Sequence, residues 1–92
     1  MSMQWLFDVI EDRKTNPAET SYTSSLFKDG LPRIAQKVGE EATEVVVAAL
    51  SQTPERLIEE VADLTYHTLV LLSARGLNPA DVLAELEKRH QR

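Results

Sequence analysis

Three of the four prolines in this chain stand where a helical pattern begins. Proline is tolerated in the first turn of an α-helix, where its missing N–H is not needed, and it breaks a helix interior. Pro32 follows Gly30, a residue suited to a left-handed helix end; Pro54 follows Thr53, and Pro79 follows Asn78, both good helix caps. The chain is thereby cut into helices of defined length. Strand signals are almost absent, because the single β-branched run, Val45-Val46-Val47, lies inside a longer helical pattern. The punctuation predicts an all-α bundle of about five helices. The first runs from about Met3 to Lys14, with Trp5, Leu6, Val9 and Ile10 as its apolar stripe. A loop from Thr15 to Ser21 follows, then a short helix capped by Thr20 or Ser21 and ending at Gly30. The third helix continues to Leu50, the fourth spans Pro54 to Arg75, and the last runs from Pro79 to about His90. The two long helices share a short turn and are expected to form an antiparallel hairpin.

With 92 residues the chain is read as one domain, 1–92, with a thin core, a size at which self-association often adds stability. It contains no cysteine, which excludes disulfides, a thiolate nucleophile and a thiolate zinc site. A net charge of −5 argues against nucleic-acid binding by charge alone, and no apolar run reaches membrane-spanning length. The N-terminal residues lack the pattern of a secretory signal, so a cytoplasmic address is expected.

Helical spacing of about 100° per residue sorts the side chains. In the third helix Ile34, Ala35, Val38, Ala42, Val45, Val46 and Ala49 define the expected buried stripe. Lys37, Glu41, Glu44 and Ala48 flank it, and Glu40 lies further towards water. In the fourth helix apolar residues point nearly all round, which predicts that it is mostly enclosed, with Glu60, Asp63 and His67 on one face and Arg56 beside them. Enclosed carboxylates are costly without compensation, and two facing pairs repel. A hard divalent cation held by oxygen ligands removes that cost, which favours Mg²⁺ or Mn²⁺. The bland reading is a set of ion pairs: Lys37 with Glu41, and Glu60 or Asp63 with Arg56 or Arg33. Gly39 weakens the helix and suits close approach to the backbone, by a ligand or by a crossing helix. His67 reads as a hydrogen-bonded core histidine and Tyr66 as packing.

"EExxE" followed by "ExxD" resembles the signature of the all-α nucleoside triphosphate pyrophosphatase superfamily. "SYTSSLFKDGLPRIAQKVGEEATEVVVAAL", "EEVADLTYHTLVLL" and "GLNPADVLAELEKRH" are similar, more narrowly, to the phosphoribosyl-ATP pyrophosphatase family in its stand-alone form. Thr43 and Thr65 depart from the usual family pattern without touching the acidic set. The resemblance implies a homodimeric helical enzyme that hydrolyses phosphoribosyl-ATP to phosphoribosyl-AMP and pyrophosphate, in the second step of histidine biosynthesis. It implies Mg²⁺ on Glu41, Glu44, Glu60 and Asp63, with Glu40 or Glu44 as general base. Lys37 is the first candidate for a phosphate contact, followed by Ser21, Tyr22 and Thr23 at a helix start, then Arg13, Lys14 and Arg33. A separate phosphoribosyl-AMP cyclohydrolase is a candidate partner. Three rivals stay open on the residues: a house-cleaning pyrophosphatase of the same fold acting on free nucleotides, a non-enzymatic dimerising helical module, and a helical protein whose acidic residues form structural ion pairs only.

Overall fold

Local chemistry at each helix start sets the architecture of the computed structural model, which describes residues 2–91. The helices are α1 (Met3–Thr15), α2 (Tyr22–Asp29), α3 (Leu31–Ser51), α4 (Pro54–Ala74) and α5 (Pro79–His90), with no strand among the described residues. The expected all-α class of five helices is what forms. Ser2 caps α1 by accepting from the Trp5 amide, Ser21 caps α2 by accepting from the Ser24 amide, and Thr53 caps α4 by accepting from the Arg56 amide. Asn78 and Asp81 form a reciprocal capping box at the start of α5. Gly30 ends α2 and opens α3 by itself, at φ 96°. That is a backbone state glycine adopts without penalty and other residues rarely reach.

The core is built by Phe7 and Ile10 of α1, Leu26 of α2, Ile34 of α3, and Leu69 and Val70 of α4. Each such side chain contributes roughly 1.5–3 kcal/mol through burial. α3 and α4 share the most extensive contact of any helix pair. Only Gln52 and Thr53 link them, too short a connection for a crossover, so α4 folds back along α3. α5 buries no residue. No helix of the described residues is long and apolar enough to cross a membrane.

Two sequence expectations about facing need correction. In α3 the enclosed residues are Ile34, Lys37, Val38, Glu41, Ala42, Val45 and Ala48, whereas Ala35, Val46 and Ala49 are exposed. The helix is rotated so that its Lys37–Glu41 flank, rather than the most apolar arc, meets α4. α4 is enclosed mostly over its C-terminal half: of the earlier residues Glu60 is buried and Leu57 half-buried, but Ile58 is 70 % exposed, and Val61 and Ala62 also face outwards. Val46 at 56 % and Leu50 at 83 % exposure are, like Ile58, uncovered apolar residues of the α3–α4 hairpin. At Gly39 a Cβ would meet nothing within 4 Å, so among the described residues no helix supplies the close crossing that was one of its two readings.

Candidate active site

The rotation of α3 brings Glu41 towards α4, where Glu60 is buried to 6 % exposure one turn before Asp63. One carboxylate oxygen from each of Glu41, Glu60 and Asp63 lies within 4.8 Å of the others. Each neighbour is handled differently. Glu41 accepts from the largely enclosed Lys37 ammonium at 3.1 Å. Glu60 is held by the Arg56 guanidinium, which also grips Glu59 at 2.6 Å. The Asp63 carboxylate is exposed and makes no hydrogen bond or ion pair among the described residues. The bland ion-pair reading therefore accounts for two of the three groups and leaves Asp63 out.

Lys37 is the hinge of the local electrostatics. Bonding to Glu41 raises its pKa above the ordinary lysine value, against the opposing effect of burial, with Glu40 and the Tyr22 phenol adding to the rise. It stays a cation. Glu40 lies outside the cluster, with its carboxyl held below the ordinary value chiefly by the Gln36 amide at 2.9 Å and then by Lys37. Arg33 approaches the same carboxylate at 3.6 Å, so it serves Glu40 and not the α4 carboxylates. Glu44, one turn beyond Glu41, is exposed, and its oxygens do not join the three-membered group.

The start of α2 is fastened to α4 by two side-chain bonds. Thr23 shares a short hydrogen bond with the Tyr66 hydroxyl, and the Tyr22 hydroxyl meets His67 Nε2 at 3.0 Å. Burial raises the Tyr66 hydroxyl above the ordinary tyrosine value. His67 Nδ1 lies 2.7 Å from the Asp63 carbonyl, which can only accept, so Nδ1 carries the proton. In the neutral ring Nε2 is then an acceptor, and Tyr22 donates to it. This agrees with the hydrogen-bonded core histidine read from the sequence; the ring is 5 % exposed. Sequence reasoning missed the Thr23–Tyr66 and Tyr22–His67 links, which join residues 43 and 45 positions apart and leave no periodic signal.

The remaining substrate candidates lie elsewhere. Ser21 is committed to its cap. Lys14 is tied to Glu11 at 2.7 Å and to the Ser73 carbonyl at 3.0 Å, and Arg13 pairs with Asp12 at 2.8 Å. Arg13 and Lys14 line a cavity of about 790 Å³ with Lys28 and Ser24, and none of the three clustered carboxylates borders it.

Fold and site together define a class: an all-helical protein whose two longest helices gather oxygen ligands suited to a hard cation. Within that class the chain belongs to the phosphoribosyl-ATP pyrophosphohydrolase family, whose model matches residues 3–90. It is 51 % identical over 87 residues to a phosphoribosyl-ATP pyrophosphatase of Clostridium botulinum, covering 95 % of this chain and 79 % of that one. It is 55 % identical over 84 residues to the enzyme of the same name from Sulfurisphaera tokodaii, covering 91 % and 89 %. A histidine biosynthesis bifunctional protein HisIE of Bacteroides thetaiotaomicron is 49 % identical over 90 residues, 98 % of this chain and 44 % of that protein.

Proposed function

We propose that this chain hydrolyses phosphoribosyl-ATP between its α and β phosphates, releasing phosphoribosyl-AMP and pyrophosphate, in the cytoplasm as a step of histidine biosynthesis. The observation that carries the reading is the three-carboxylate cluster between α3 and α4 in a member of this family. Glu41, Glu60 and Asp63 would hold the cation, with Glu44, one helical turn beyond Glu41, as a further candidate ligand or base. Three carboxylates without thiolate or imidazole fit Mg²⁺ or Mn²⁺. Bound there, the ion would supply positive charge against the triphosphate oxygens and the leaving pyrophosphate. Lys37, kept protonated by Glu41, offers its remaining N–H to a phosphate oxygen. Arg56 holds Glu60 in place. Of the two candidate bases, Glu40 is disfavoured, because Gln36, Lys37 and Arg33 all lower its appetite for a proton. Glu44, exposed and unpaired among the described residues, is the better group to take the proton of the attacking water.

The uncovered Val46, Leu50 and Ile58 support a homodimer that covers the α3–α4 hairpin. Sedimentation should give twice the chain mass, and a monomer at micromolar concentration would sink that part. A separate cyclohydrolase remains a candidate partner, supported by the HisIE relative, in which the matching region forms less than half of a bifunctional chain; absence of co-sedimentation with phosphoribosyl-AMP cyclohydrolase would remove it. The central test is pyrophosphate release from phosphoribosyl-ATP with Mg²⁺ and with EDTA. Mg²⁺-dependent turnover that exceeds turnover of dUTP and dCTP is expected; equal turnover of the free nucleotides would favour the house-cleaning reading, and none at all the non-enzymatic one.

A further inference from the structure

The reaction above uses neither the ring of Tyr22 nor His67, yet the pair is tied to the backbone of Asp63. His67 is buried one turn from Asp63 and bonds the Asp63 carbonyl; Tyr22 bonds His67, and its phenol is felt by Lys37. The Tyr22 hydroxyl is engaged by His67 Nε2 at 3.0 Å, which draws it away from a phosphate oxygen. Its own lone pairs would repel one. What remains available is the ring. It is stacked towards Tyr66 at 6.3 Å between centroids, has the His67 ring against it edge-on at 5.8 Å, and is still 52 % exposed. A half-open aromatic ring with a fixed orientation beside a triphosphate site suits a planar, electron-poor partner.

The substrate proposed above supplies one. Attaching a ribose to N1 of adenine makes the ring a much stronger base than adenine, so it carries positive charge near neutral pH, whereas the base of ATP is neutral. A cation over a tyrosine face is attracted by the ring quadrupole. We propose that the Tyr22 ring, held in place by His67, receives the cationic N1-substituted adenine and so distinguishes the substrate from ATP. This rests on the proposed reaction for its substrate, and it makes Tyr22 a specificity residue and His67 a positioning residue.

The test is direct binding, by calorimetry with Mg²⁺, of two uncleavable probes: the α,β-methylene forms of ATP and of 1-methyl-ATP. The natural chain should bind the methylated probe about fivefold more tightly. Tyr22→Phe, which keeps the ring but loses the hydrogen bond to His67, should lower the preference as His67→Leu does, and Tyr22→Leu should bring it to about one. His67→Leu should lower the preference, and His67→Gln, which can still accept from Tyr22, should restore part of it. Circular dichroism on each variant separates these outcomes from misfolding, and the natural chain carries the decision if a variant fails. No preference in the natural chain, or one that survives Tyr22→Leu, overturns the proposal. Failure of the chain to cleave phosphoribosyl-ATP would overturn the reaction instead, and the ratio of the two affinities would still read Tyr22.

Discussion

Replacing Asp63 with asparagine should make the metal-free protein more stable. Asp63 sits within 4.8 Å of two other carboxylate oxygens and has no cation of its own among the described residues. Two unit charges at that distance repel by about 3.5 kcal/mol at an effective dielectric of about 20, and by about 0.9 kcal/mol in water. Asp63 is exposed, so the lower figure applies to each neighbour, and Lys37 and Arg56 offset part of it. A net relief of about 0.5–1 kcal/mol follows, which for a domain of this size is about 2–8 °C in melting temperature. Mg²⁺ should reverse the order. A cation at a hundredfold excess over its dissociation constant stabilises the natural chain by about 2.7 kcal/mol, and the variant, missing one of three ligands, gains far less. The assay is thermal unfolding followed by circular dichroism, in EDTA and in MgCl₂, at one protein concentration because a dimer's melting depends on it. If the natural chain melts at the same temperature in both buffers, and Asp63→Asn melts lower in EDTA, the three carboxylates do not form a cation cradle.

Two other substitutions test the surrounding structure. Gly39→Ala, where an added Cβ meets open space, should raise stability by about 0.5–1 kcal/mol in urea unfolding; a loss would show that something from outside this chain approaches the α3 backbone there. Glu11 has its carboxyl held below the ordinary 4.5, chiefly by Lys14 and then by Ser73, against the opposing effect of burial. A depressed carboxyl gives stability that is present above its unfolded value and lost as pH falls through the folded one. The gap in urea midpoint between the natural chain and Glu11→Gln should therefore be full at pH 7 and close below about pH 4.5, and a gap unchanged down to pH 3 would refute the contribution.

Helix limits were readable because they are written in local chemistry. Thr53-Pro54 and Asn78-Pro79 place a cap and a rigid first turn side by side, and Gly30 needs only its own backbone to end α2. Which side of α3 faces inwards was not readable. Counting apolar residues pointed to Val46 and Ala49, but α3 is turned so that Lys37 and Glu41 are enclosed and Val46 is left outside. The ion pairs at the site stay within single helices, Lys37 with Glu41 and Arg56 with Glu60, so they do not set this rotation, and a helical wheel of one segment contains no information about its neighbour. The acidic motif grouped Glu41, Glu44, Glu60 and Asp63; the fold brings oxygens of Glu41, Glu60 and Asp63 within 4.8 Å of one another, and spacing alone could not separate these from Glu44. Lys14 is a candidate phosphate contact by sequence, and only the fold reveals that it donates to the Ser73 carbonyl.

The corner at Gly30 leaves no slack. One residue closes α2 and starts α3, so the angular setting of one helix is transmitted to the other like a gear tooth. Adding or deleting a residue there would reset the direction of α2 relative to α3 and move Tyr22 and Thr23 with it. Length variation is tolerable in the Asn16–Thr20 loop, whereas at this joint a single extra peptide unit would uncouple both of the tyrosine anchors from α4 without altering any residue of the acidic set.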